Sequence, residues 1–158
     1  MGLAALWVVG IVVFLVWGSA MHSAVAPTRA PNGTITAKGK LDAWALQVGD
    51  CVKLPITESG NVTLLDVVPC GDLHNAQVFN LVDLGAGSYP GDDQVTQLSL
   101  DACQAKVTEF AKANAGMRPG LRVFTLFSSE TMWKRGEHRA QCLVADVTTD
   151  FTGDVRGR

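Results

Sequence analysis

The stretch DQVTQLSLDACQAKVTEFAKAN, Asp93 to Asn114, decides the fold class, because it is the one long segment of this chain that reads as a helix. Gln, Leu, Ala, Lys and Glu dominate it, residues that lose little side-chain freedom in a helix. Asp92 or Asp93 offers an N-cap carboxylate at its start, and Gly116 followed by Pro119 stops it. At about 3.6 residues per turn, Val95, Leu98, Ala102, Cys103, Phe110 and Ala113 fall broadly on one face, with Lys106 intruding. A helix with one apolar face needs a surface to bury it, and the flanking sequence supplies a sheet.

On either side of the helix lie Cys51–Leu54, Val62–Val68, Ala76–Leu84, Leu121–Phe127 and Arg139–Val147, short runs rich in Val, Leu and Phe. Pro, Gly, Asn and Asp separate them, which is the pattern of strands joined by turns. The expected fold is α+β, a small disulfide-stapled antiparallel sheet packed by one main helix and preceded by a transmembrane helix. Four cysteines allow three pairings. Organisation favours one of them. Cys51 opens one strand and Cys70 ends the next, so antiparallel pairing brings them together, while Cys103 on the buried helix face can meet Cys142 on the last strand.

The transmembrane helix is read from residues 1–26, MGLAALWVVGIVVFLVWGSAMHSAVA, which contain no Lys, Arg, Asp or Glu. The roughly 24 residues from Gly2 to about Val25, at ~1.5 Å each, reach about 36 Å, enough to cross a ~30 Å hydrocarbon core with some tilt. A cleaved signal peptide competes with this reading. The basic n-region is missing, however, and the most A-x-A-like site, Ala24-Val25-Ala26, is followed by Pro27. Gly10 and Gly18, about two turns apart, form the face on which a partner membrane helix is expected to pack.

Orientation rests on the cysteines. Arg29, Lys38 and Lys40 follow the span and nothing basic precedes it, a charge count that alone would place the domain in the cytoplasm. An even number of cysteines with no C-x-x-C pair fits an oxidising compartment, and long domains translocate largely regardless of nearby charge. The expected location is the cell membrane, with the C-terminal domain on the extracytoplasmic side. Residues 27–45 are read as a linker, since 27–40, PTRAPNGTITAKGK, lack periodicity. Residues 46–147 form the domain, and 148–158 a polar, frayed tail.

Several motifs then occur in order. Val48-Gly49-Asp50-Cys51-Val52 is followed by Val67-Val68-Pro69-Cys70-Gly71-Asp72-Leu73-His74-Asn75-Ala76-Gln77-Val78-Phe79, by Tyr89-Pro90-Gly91-Asp92-Asp93, by Cys103, and by Trp133-Lys134-Arg135-Gly136-Glu137-His138 leading to Cys142-Leu143-Val144. This string resembles the septum-formation domain family, small single-span extracytoplasmic proteins of high-GC Gram-positive bacteria. The resemblance covers roughly Leu46 to Val147. It implies an envelope protein associated with septum formation and carries no reaction with it. Where the family commonly has Pro-His-Asp-Ala-Glu, this chain has Leu73-His74-Asn75-Ala76-Gln77 and so lacks both acids; a proline common before the tryptophan is also missing from Ser128-Ser129-Glu130-Thr131-Met132-Trp133.

Chemical motifs do not assemble from the residues. A formal net charge of −2 offers no basic field for nucleic acid. Cys70 and His74 have a spacing that zinc uses, but the disulfide pairing consumes the sulfur, and His74 is read as a hydrogen-bonding loop residue. Ser128 and Ser129 lie in no nucleophile elbow, Glu137 and His138 have no nucleophile beside them, and Gly85–Gly91 matches no phosphate-binding pattern. No catalytic residue, cofactor or metal is expected, and no small-molecule ligand is identified. The expected role is protein–protein interaction, with the bilayer and a membrane protein as partners and Trp133 and His138 as contact candidates on the domain, although Trp133 reads first as a core residue and second as a partner anchor. An accessory subunit of a larger membrane complex, such as an energy-transducing or respiratory assembly, is the alternative; an envelope hydrolase ranks below both.

Overall fold

The computed structural model describes residues 25–56, 62–114 and 116–156. Apart from Val25 and Ala26, the expected span with Gly10 and Gly18 lies outside the described residues, and among those described no helix is long and apolar enough to cross a membrane. The elements run β1 (Thr28–Arg29), β2 (Ile35–Ala37), β3 (Gly39–Asp42), a 3-10 turn (Ala43–Ala45), β4 (Cys51–Lys53), β5 (Leu64–Val68), β6 (Ala76–Asp83), α1 (Asp92–Ala113), β7 (Arg122–Leu126), α2 (Glu130–Trp133) and β8 (Arg139–Ala145). Strands β3 to β8 make one six-stranded sheet in the order β3-β5-β4-β6-β8-β7, and β1 pairs only with β2. Every pairing is antiparallel.

β8 organises the packing. It lies between β6 and β7, and Ala140 to Ala145 are all buried, so the run is covered on both faces and does not alternate in burial, Gln141 being its one polar side chain. Ala140, Cys142 and Val144 join the core beneath α1, while Leu143 and Ala145 join the core on the opposite face. A bulge between Val78 and Asn80 shifts the register of β6 against β8. The inserted residue, Phe79, meets Phe110 of the helix with ring centroids 5.1 Å apart.

The helix buries Val95, Ser99 and Cys103, an i, i+4 stripe continued by half-buried Val107 and Phe110. Leu98, expected on that face, is 41 % exposed. Ser99 replaces it because a small side chain lets the helix approach the sheet, and its hydroxyl stays satisfied by donating to the Val95 carbonyl at 2.6 Å. Asp92 and Asp93 lie in the first turn and do not form the cap, a position held by Gly91 at φ +99°. Their charge still favours the helix N-terminus.

Both disulfides join the elements expected, Cys51 to Cys70 and Cys103 to Cys142, each with Cα atoms 5.3 Å apart. The first staples the open end of the β4–β5 pair, away from its turn, and the second bolts α1 to β8.

The segment read as a linker is folded. Within 27–45, Ile35 and Ala43 are buried with Leu46 against Val52, Leu65, Val67 and Leu143, so this segment covers the sheet face opposite α1. A fork of two hydrogen bonds holds it, Arg29 Nη1 and Nη2 donating at 2.7 Å each to the two carboxylate oxygens of Asp50. The tail is likewise docked and not frayed. Phe151 and Val155 are buried, His74 and Phe151 exchange backbone bonds at 2.9 and 2.7 Å, and Val155 N donates to the Gln77 side-chain oxygen at 2.9 Å. Composition hid both segments because their apolar residues stand singly among polar ones.

Candidate functional site

The residues following β7 build a platform around Trp133. The short helix α2 carries this indole inward, where it is 5 % exposed and its Nε1–H donates to the Gly87 carbonyl at 2.9 Å. His138 stacks on the indole at 4.5 Å, with Nε2 2.9 Å from the Trp133 carbonyl, and Tyr89 meets it edge-on at 5.8 Å. Tyr89 donates to Asp92, and its phenol is pushed up to about 12, by loss of solvent first and then by Asp92 and Glu130. Trp133, read from sequence as a core residue ahead of a partner anchor, is an internal post, its ring buried and its N–H bonded within the domain. His138 is half-buried against it.

Beside this platform runs a groove of about 330 Å³ lined by Trp44, Val62, Leu126, Phe127, Met132 and Arg135, with Asp42, Thr63, Thr125, Ser129 and Thr131 completing the wall. Its two sides are held from behind. Trp44 is fixed by its N–H donating to Asp42 Oδ1 at 2.9 Å and by its carbonyl accepting from Arg139 Nη2 at 3.1 Å. Met132 is fixed through its neighbour Trp133 in the platform. Phe127 remains 38 % exposed at the mouth. Sequence reasoning missed this groove, since Trp44 sits in the segment read as a linker and the other residues come from strands and a short helix far from it in sequence. A smaller groove of about 310 Å³, lined by Val48, Phe79, Phe110 and Arg156 among others, lies beside the C-terminal end of α1.

His74 lies apart from both grooves. It is fully buried, its Nδ1 is 2.8 Å from the Asp72 carbonyl, and its ring packs 4.4 Å from Phe151. Burial lowers its pKa from the ordinary value, outweighing the Asp72 carbonyl and the charges of Asp150 and Asp154, which act the other way. The unfolded chain therefore binds a proton that the folded chain resists. Stability from this site is complete above the unfolded value of about 6.5 and is lost as pH falls below it. The urea midpoint should drop between pH 7.5 and 5.5, and His74→Asn should flatten that slope; an unchanged slope in the variant would assign the drop to other groups.

Neither described histidine bonds a Ser, Thr or Cys side chain, since both reach backbone carbonyls. Glu137 is engaged by Arg139 at 3.3 Å. Among the described residues no group of three or more His, Cys, Asp or Glu is placed to hold a metal ion.

A family model described as septum formation matches residues 24–142. No curated protein and no solved structure matches this chain.

Proposed function

The chain belongs to the septum-formation family, and from that premise we propose that it is a non-catalytic, single-pass envelope protein whose extracytoplasmic domain binds other proteins, in association with the septum. The observation that carries this reading is the pair of disulfides. Cys51, Cys103 and Cys142 are fully buried, and the two bonds tie strand to strand and helix to sheet, where they are integral to the core. Structural disulfides of this kind persist in oxidising compartments and not in the cytosol. The uncharged run at residues 1–26 supports a membrane tether on the same side of the argument.

The test combines topology with location. Intact mass should show an uncleaved chain that needs detergent for extraction, external protease should reach the domain in spheroplasts, and a fluorescent fusion that matures outside the cytoplasm should concentrate at septa. A mature chain beginning after Ala20 or Ala26 would eliminate the tether. Uniform membrane distribution with stoichiometric recovery in a respiratory assembly would replace septal association by the accessory-subunit role.

A further inference from the structure

The sheet ends in two edges, and the chain treats them differently. At β3 the Lys40 N–H donates to the Val25 carbonyl at 2.9 Å. Gly39 passes so close that an added Cβ would meet the Val25 carbonyl oxygen and the Pro27 nitrogen at 2.4 Å. That edge is closed by the chain's own backbone. β7, at the other end of the sheet, pairs with β8 alone, and among the described residues no backbone group outside β8 bonds it.

An open edge is a template for a further strand, and proteins usually blunt one with prolines, bulges or inward charges. β7 reads Arg-Val-Phe-Thr-Leu, which has high strand propensity, no proline and one charge, at Arg122. Its other end runs into the groove between Trp44 and Met132. Edge and groove thus form one continuous track, with backbone donors and acceptors followed by an apolar seat.

Charge selects the occupant. Arg122 at the start of the track, and Arg135 in the groove, make no ion pair among the described residues, whereas Arg29, Arg118, Arg139 and Arg156 each do. Asp42, the carboxylate in the groove wall, is turned to the Trp44 N–H. From Arg122 to Leu126 an extended strand rises about 14 Å, with one unpaired guanidinium at its start and the other in the groove that Leu126 also lines.

We propose that β7 and the adjoining groove bind an extended segment of a partner protein, which adds as a strand to β7, seats one apolar side chain between Trp44 and Met132, and sets carboxylates against Arg122 and Arg135. Main-chain hydrogen bonds supply affinity in this mode, and the apolar seat and charge-assisted bonds supply selection. The inference deepens the protein-binding role proposed above and rests on it.

The probe is a synthetic octapeptide of alternating valine and threonine with an N-terminal aspartate and a C-terminal leucine carrying a free carboxylate. It is titrated into the full chain in detergent micelles and followed by backbone amide NMR. The Arg122–Leu126 amides should shift. Methylating the peptide's alternate nitrogens should abolish binding, and Arg122→Glu with Arg135→Glu should weaken it by about tenfold or more. Absence of binding, shifts confined to other elements, equal affinity for a lysine-bearing amidated peptide, or indifference to N-methylation would each overturn the assignment. Self-association through β7 in sedimentation would overturn it in favour of a second copy of the chain. Co-purifying partners retained by the double variant would reject this surface and leave the protein-binding role standing; no co-purifying partner for the unaltered chain, beside a peptide that binds β7, would reject the role and leave the surface.

Discussion

Replacing Cys103 and Cys142 together by alanine should lower the unfolding free energy by about 4 kcal/mol, and replacing Cys51 and Cys70 by about 3. The difference follows from sequence separations of 39 and 19 residues, since the longer loop removes more freedom from the unfolded chain. The longer bridge also fixes a contact the rest of the helix makes weakly. α1 buries only Val95, Ser99 and Cys103 fully, so losing the bond loosens it from β8. Single domains commonly hold about 5–15 kcal/mol in total, and a loss of 4 leaves such a chain poorly folded at growth temperature. Urea midpoints of the two double variants, made in the full chain, check the order. A larger loss at Cys51–Cys70 would mean that the β4–β5 region, and not the helix, limits stability.

The main helix and strands β5 to β8 were legible because each runs five residues or more and breakers separate them, and three-residue β4 because Cys51 and Val52 stand close to Leu54 in one short apolar run. The disulfide pairing followed from the same organisation. Side-chain detail at the helix was not, since a hydrophobic pattern ranks Leu98 above Ser99 whereas close packing against β8 selects the smaller residue. The N-terminal and C-terminal segments escaped for another reason. β1, β2 and β3 are two to four residues each, too short for alternation to show, and what anchors them is long-range: Arg29 to Asp50, and His74 to Phe151. The groove escaped with them. Its walls come from the 3-10 turn, the residues just before β5, the end of β7 and α2, pieces that meet only once the sheet has formed.

Arg29→Ala should cost about 3–5 kcal/mol, as large an effect as a lost disulfide, although the residue stands in a stretch whose composition reads as a tether. Asp50 is 4 % exposed, and its carboxylate accepts both guanidinium nitrogens of Arg29 as well as the Gln47 N–H at 2.8 Å. Removing the guanidinium leaves that charge buried with one backbone donor. The penalty comes from the stranded carboxylate and not from the lost attraction, so a second change should relieve it: Arg29→Met with Asp50→Asn should be more stable than Arg29→Met alone. Arg29→Lys should fall between, because an ammonium cannot make the two parallel bonds. The consequence reaches the opposite side of the sheet from α1, where Ile35, Ala43 and Leu46 would lose the strut that seats them. Limited proteolysis should then cut the Arg29 variant between residues 27 and 45 before any other part of the domain. A loss under about 1 kcal/mol, with no change in cleavage, would return this segment to the status of a linker and leave the second sheet face held by apolar contact alone.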